Sequence, residues 1–86
     1  MPARYIILKG SLERLSFRDA VREKALRLEL KGTTRYLADE SVEVFVEGPL
    51  KVLEEFEHWC RSQSVVEAAY IHTSSEKGLK DFCIGY

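Results

Sequence analysis

The spacing of apolar residues in this chain changes twice from that of a strand to that of a helix, and this alternation constrains the fold most. Residues 5–8 form a short apolar run without Gly or Pro, which is typical of a central strand. In the next segment apolar residues recur every three or four positions, which predicts a helix with one buried stripe. The stripe consists of Phe17, Ala20, Val21, Ala25 and Leu28. Ser16 is the expected N-cap, with Asp19 three residues later.

A β-hairpin is predicted after this helix. Residues 30–37 and 41–47 have the composition of strands, and the turn-prone residues 38–40 join them. Valine occupies every other position in the middle of the second strand. This alternation indicates a strand with one buried face.

The second half of the chain repeats the change from helix to strand. Gly48-Pro49 ends the hairpin, and Pro suits the first position of a helix. The apolar stripe of this second helix is Leu50, Leu53, Phe56, Trp59 and Cys60. Two more strands are expected at 65–72 and 82–84, with a polar loop at 73–80 between them.

This order of elements predicts an α+β fold, the ferredoxin-like α/β sandwich with a βαββαβ core. Two helices cover one face of an antiparallel sheet of four to five strands. Many unrelated functions use this architecture, so the fold alone does not identify the chemistry.

The length of 86 residues predicts one domain over 1–86, because a core of this size buries only about two-thirds of the unfolded chain's surface. Apolar residues make up 45% of the chain and charged residues 31%, as in water-soluble proteins. No apolar run approaches the roughly 18 residues of a membrane span, and no secretory signal is visible. We therefore expect a cytoplasmic protein without a membrane partner.

Neither cysteine suggests a disulfide framework or a metal site. Cys60 and Cys83 lie in apolar patterns, where a free thiol packs as a small hydrophobic group, so both are expected to be reduced. His58 and Cys60 could contribute two metal ligands, but a structural zinc site needs four with paired spacings. No metal and no cofactor is expected.

Charge is unevenly distributed along the chain. Residues 1–36 contain nine Lys or Arg and four Asp or Glu, whereas residues 37–86 contain four and ten. A basic N-terminal half suits a small anionic ligand such as phosphate or sulfate. It is equally compatible with a solvated charged surface, and nucleic acid is a third possibility.

Residues 10–18, Gly-Ser-Leu-Glu-Arg-Leu-Ser-Phe-Arg, lie between the first strand and the first helix and could bind an anion. The first turn of a helix has N–H groups without intrahelical acceptors and carries the positive end of the helix dipole. The expected phosphate-binding groups are the backbone amides of Ser11, Leu12, Glu13, Arg14 and Leu15 and the guanidinium of Arg18.

This segment resembles the phosphate-binding signature of the acylphosphatase family, Gly-x-Val-Gln-Gly-Val-x-Phe-Arg. Gly10, Phe17 and Arg18 match it, and leucine replaces both valines. Glu13 stands at the position of the family's Gln, and Arg14 at the position of its second Gly.

A second segment, residues 32–43, is similar to the family motif Gly-Trp-Val-Arg-Asn-Leu-Pro-Asp-Gly-x-Val-Glu. Residues 46–49 and 53–61 look like the segments that follow it. The resemblance implies hydrolysis of the carboxyl–phosphate bond of small acyl phosphates without a metal. It also implies that Arg18 holds the phosphoryl oxygens, while the family's Asn orients the attacking water.

Tyr36 occupies the position of that Asn. A phenol cannot reproduce the adjacent donor and acceptor of a carboxamide, and losing one well-placed polar group costs about a hundred- to a thousandfold in rate. Hydrolysis is therefore expected to be weak or absent, and Tyr36 to pack as an ordinary strand aromatic. In the phosphate loop, the carboxylate of Glu13 opposes anion binding and the cation of Arg14 favours it.

Two functional hypotheses follow. In the first, the chain is an acylphosphatase-type hydrolase of small acyl phosphates, and we favour impaired activity, which lies between this hypothesis and the next. In the second, it is a non-catalytic anion-binding or protein-interaction module on the same fold. RNA binding is disfavoured, because residues 42–47 place carboxylates where the RNA-binding strand motif has a cation and stacking rings.

Overall fold

The computed structural model describes residues 2–12 and 14–85, and it describes residues 14 and 15 by their backbone only. Its elements are β1 (Ala3–Gly10), α1 (Arg14–Arg27), β2 (Lys31–Tyr36), β3 (Val42–Glu47), α2 (Leu50–Ser62), β4 (Val66–Ser74) and β5 (Phe82–Ile84). This order confirms the predicted ferredoxin-like α+β architecture.

The five strands form one sheet in the order β4-β1-β3-β2-β5. The pairs β1/β3, β1/β4 and β2/β3 are antiparallel, as expected. β5 runs parallel to β2, with Gly32 opposite Phe82 and Thr34 opposite Ile84, so the sheet is mixed rather than wholly antiparallel. The reason is that the chain crosses from β4 at one edge to the opposite edge before it forms β5.

Both helices begin slightly away from their predicted starts. α1 begins at Arg14, so Ser16 lies in its first turn and the prediction of Ser16 as N-cap was wrong. β1 extends to Gly10, and the Ser11 amide is held by the carbonyl of Val65, the residue before β4. Pro49 is the N-cap of α2 rather than its first helical residue.

The hydrophobic core lies between the sheet and the two helices. Ile6 and Leu8 of β1 and the three valines of β3 are fully buried against the apolar stripes of α1 and α2. Cys60 belongs to this core, and its burial raises the pKa of the thiol to about 12. Cys83 is exposed, so the expectation that it packs as a core hydrophobe was wrong; both cysteines are free thiols.

A buried carboxylate holds the loop between β4 and β5. The side chain of Glu47, 2% exposed, accepts hydrogen bonds from the backbone N–H of Lys77 at 2.7 Å and of Leu79 at 2.5 Å. The Lys77 ammonium lies 4.3 Å from the ring centroid of Phe45. These contacts fix the loop across the face of the sheet that the helices leave open.

The described residues contain no helix that is both long and apolar enough to cross a bilayer.

Candidate anion-binding site

The loop between β1 and α1 begins at Gly10, where the backbone of β1 lies directly against the backbone at the start of β4. Gly10 has a φ of +152°, and a Cβ atom there would lie 2.1 Å from the carbonyl oxygen of Val65 and 2.8 Å from the amide nitrogen of Glu67. The register between β1 and β4 shifts between Lys9 and Gly10, which marks a bulge. Only glycine fits this approach, so Gly10 determines where the loop leaves the sheet.

Ser11 continues this contact, because its backbone N–H donates to the carbonyl of Val65 at 3.0 Å. This donor is therefore engaged within the fold. Anion binding by Ser11 stays a prediction, and it would require the amide to share its hydrogen. Leu12, the next residue, packs partly buried against the core.

The start of α1 supplies the remaining predicted donors. Arg14 and Leu15 are its first two residues, and first-turn N–H groups have no intrahelical acceptor. The first turn contains no acidic residue that would offset the positive end of the helix dipole. Glu13 and its expected carboxylate lie outside the described residues, as do the side chains of Arg14 and Leu15.

Arg18 and Tyr36, the two positions predicted from the family motifs, come together in the structure. The central carbon of the Arg18 guanidinium lies 4.9 Å from the centroid of the Tyr36 ring. Arg18 follows the buried Phe17 in α1, and Tyr36 is the last residue of β2. Both side chains are half-buried, and Tyr36 also packs against the core.

The contact itself was missed by the sequence reasoning, which treated Tyr36 as a packing residue only. The sequence did contain a signal for this contact, because the family resemblance places the positions of both residues in one active site. Arg over an aromatic ring within about 6 Å is a recurrent cation–π arrangement in proteins.

A second group of charges lies beside the loop, at the turn between β2 and β3. A cavity of about 120 Å³ there is lined by Lys9, Gly10, Asp39, Glu40 and Ser41. The hydroxyl and amide of Ser41 donate to Asp39 at 2.5 and 3.1 Å, and these bonds lower the pKa of Asp39. The Lys9 ammonium lies 3.4 Å from the Asp39 carboxylate. With two carboxylates in its wall, this cavity is a poorer place for an anion than the start of α1.

An apolar cleft lies on another side of the first turn of α1. It has a volume of about 250 Å³ and is lined by Ser16, Phe17, Ala20 and Val65. Val65 therefore both lines this cleft and accepts the hydrogen bond from the Ser11 amide.

The open face of the sheet carries a separate charged network. The Tyr5 hydroxyl donates to the Glu43 carboxylate, which also accepts from Nε of Arg35 at 2.7 Å. The bond from Arg35 lowers the pKa of Glu43, and the bond to Glu43 raises the pKa of Tyr5. Because Arg35 precedes Tyr36 on β2, its side chain points to the opposite face of the sheet, away from the anion loop.

Among residues 2–12 and 14–85, no group of three or more His, Cys, Asp or Glu is arranged to hold a metal ion.

Comparison with known proteins identifies relatives of this chain in sequence and in structure. The family model described as acylphosphatase matches residues 4–84. An acylphosphatase from Thermus thermophilus is 36% identical over 85 residues, which cover 95% of this chain and 97% of the relative. The crystal structure of an acylphosphatase from Bacillus subtilis superposes with a TM-score of 0.93 at 29% identity, and all of both chains is covered.

A domain of a larger protein has the same fold. Full-length HypF, in a crystal structure of its phosphate- and nucleotide-bound form, matches 99% of this chain with a TM-score of 0.86 and 26% identity. The match covers 12% of the HypF chain.

Proposed function

Since this chain belongs to the acylphosphatase family, we propose that it binds the phosphoryl group of small acyl phosphates at the start of α1 and hydrolyses them weakly or not at all. The proposed binding groups are the backbone amides of residues 11–15, among which that of Ser11 would be shared with Val65, and the guanidinium of Arg18. No metal or other cofactor takes part in this proposal.

Three features support phosphate binding. The contact of Gly10 and Ser11 with Val65 holds one end of the loop. The first turn of α1 directs N–H groups and the positive end of its dipole toward the loop. Arg18 adds a formal positive charge one turn into the helix, and a charged donor strengthens a hydrogen bond to phosphate.

The observation that carries the proposal of weak hydrolysis is the ring of Tyr36 against the Arg18 guanidinium. In the family, an Asn carboxamide at this position orients the attacking water. Here the position has an aromatic ring and one phenolic oxygen, and these cannot donate to and accept from one water as a carboxamide does. Without such positioning, the phosphate site stabilises charge but does not direct the nucleophile.

The same observation favours a second function, a binding module that keeps the phosphate site and has no turnover. Nucleic acid is not a proposed partner, because β3 places the carboxylate of Glu43 on the open face.

The test is hydrolysis of benzoyl phosphate by the purified chain, compared with Tyr36→Asn, Arg18→Ala and Arg22→Ala. We expect little turnover by the wild type and at least about tenfold more by Tyr36→Asn, since one positioned polar group contributes a hundred- to a thousandfold in an intact site. Arg18→Ala in the Tyr36→Asn background should abolish the gain. Arg22→Ala, an exposed arginine of the same helix, is the matched control and should retain it.

Two results would contradict the proposal. Wild-type turnover as fast as that of the Bacillus subtilis acylphosphatase would refute the argument about Tyr36. No binding of inorganic phosphate by the wild type, or binding that Arg18→Ala leaves unchanged, would refute the phosphate site itself.

A further inference from the structure

We propose that Tyr36 is a positioning residue for phosphate binding, and that it acts through its aromatic ring, which holds the guanidinium of Arg18. This inference rests on the proposed phosphate site. It assigns a binding role to the position at which the family's water-orienting group is missing.

The first argument is the geometry of the contact. The Arg18 guanidinium carbon is 4.9 Å from the ring centroid of Tyr36, within the range of about 6 Å at which the ring quadrupole attracts a cation. Both side chains are half-buried, so the attraction is less screened than at a fully exposed site.

The second argument is that the ring is itself firmly held. Tyr36 ends β2, where it pairs with the fully buried Val42 of β3 and packs against the hydrophobic core. Arg18 follows the buried Phe17 in α1, so its backbone is also fixed. A contact between two anchored residues restricts the long Arg side chain before a ligand arrives, and this lowers the entropy lost on binding.

The third argument concerns the kind of contact. An aromatic face orients a guanidinium without cancelling its charge, whereas a carboxylate both neutralises the group and accepts its N–H bonds. The ring of Tyr36 therefore orients the Arg18 guanidinium and does not itself neutralise it, which is compatible with anion binding.

The ring and the hydroxyl of Tyr36 can be separated by substitution. Tyr36→Phe keeps the ring, and Tyr36→Leu removes it while leaving an apolar side chain against the core. Tyr70→Leu is the matched control, because Tyr70 is 52% exposed on β4, at an edge of the sheet.

The experiment is calorimetric titration of the folded chain with inorganic phosphate, with Arg18→Ala included. We expect Tyr36→Leu to weaken binding about two- to fivefold, as the loss of a partly exposed cation–π contact would. Tyr36→Phe should bind phosphate about as tightly as the wild type, and Tyr70→Leu should do the same.

Nuclear magnetic resonance supplies a signature that packing alone would not give. A proton above an aromatic ring resonates upfield, so the Nε–H proton of Arg18 should be shifted upfield in the wild type and in Tyr36→Phe. The shift should disappear in Tyr36→Leu. Because the wild-type spectrum tests the contact directly, this measurement remains decisive if a variant folds poorly.

The outcomes distinguish this inference from the function on which it rests. If Arg18→Ala weakens phosphate binding but Tyr36→Leu binds phosphate as tightly as the wild type or more tightly, the ring has no positioning role and the phosphate site stands. Equal losses in Tyr36→Phe and Tyr36→Leu would assign the effect to the hydroxyl and overturn the inference. Absence of phosphate binding in the wild type would overturn both proposals.

Discussion

Gly10 lies so close to Val65 that a Cβ atom would come within 2.1 Å of the Val65 carbonyl oxygen. This approach lets the N–H of Ser11 donate to the same oxygen, and it sets the point at which the chain turns from β1 toward α1. The position of the proposed phosphate loop therefore depends on β4, a strand formed far along the chain.

Gly10→Ala should lower the free energy of unfolding by about 3 kcal/mol, because it adds a backbone clash to the cost of a side chain at positive φ. Gly78→Ala is the matched control, since Gly78 has a φ of +70° and no atom within 4 Å of its Cβ position. This control should lose about 1 kcal/mol. Urea unfolding measures both, and equal losses would show that the contact with Val65 does not constrain the loop.

Thr34→Val should raise the free energy of unfolding by about 1 kcal/mol. Thr34 is fully buried, and its hydroxyl has no hydrogen-bond partner among the described residues. Valine has nearly the same shape and removes the cost of the unsatisfied group. Thr33→Val, on the exposed side of the same strand, controls for strand propensity and should change stability by less than about 0.5 kcal/mol. A loss of stability in Thr34→Val would mean that the hydroxyl is satisfied.

Glu47→Gln should destabilise the fold by about 2 kcal/mol. The carboxylate accepts from two backbone amides, and a carboxamide keeps only one acceptor and loses the charge. Hydrogen exchange should become faster at the amides of Lys77 and Leu79 in particular. Glu55→Gln, an exposed change on α2, should alter neither measurement. Unchanged protection of the two amides in Glu47→Gln would contradict the assignment of Glu47 as the anchor of this loop.

The contact between Glu43 and Arg35 predicts a pH dependence of stability. Arg35 lowers the pKa of Glu43 in the folded state, so this pair stabilises the fold when the carboxyl is ionised. Its contribution is complete above the ordinary carboxyl pKa and is lost as the pH falls through the lowered folded-state pKa. Arg35→Gln should therefore lose more stability at pH 7 than at pH 2, as measured by urea unfolding.

The midpoint of the Glu43 carboxyl titration, followed by nuclear magnetic resonance, checks the same pair directly. This midpoint should rise in Arg35→Gln and stay in place in Arg22→Gln, which changes an exposed arginine on α1. A midpoint that does not move in Arg35→Gln would show that another group sets the pKa of Glu43.

The order of elements was predictable because each one has its own apolar period. The apolar stripe of α1 and the alternating valines of β3 indicate which face of each element is buried, because the residues that share a face follow from the local geometry of a helix or a strand. The direction of β5 was not predictable in this way, since three residues carry no information about which edge they join. The path of the chain after β1 also depends on a distant group, because the Ser11 amide donates to the carbonyl of Val65.

The candidate site could likewise be predicted from the sequence only in part. Arg18 and Tyr36 were identified by their motif positions, and the structure places them together. Their contact through the ring was not visible in the sequence, because the distance between two side chains follows from how α1 packs on β2. The engagement of the Ser11 amide was hidden for the same reason.

β1 lies between β3 and β4, although it is made before either of them. A nascent chain that ends before residue 65 can cover only one side of β1, and it still lacks the carbonyl that receives the Ser11 amide. The segment that would hold phosphate therefore folds late in synthesis. Until then one edge of this apolar strand is unpaired, and incomplete chains can aggregate through it.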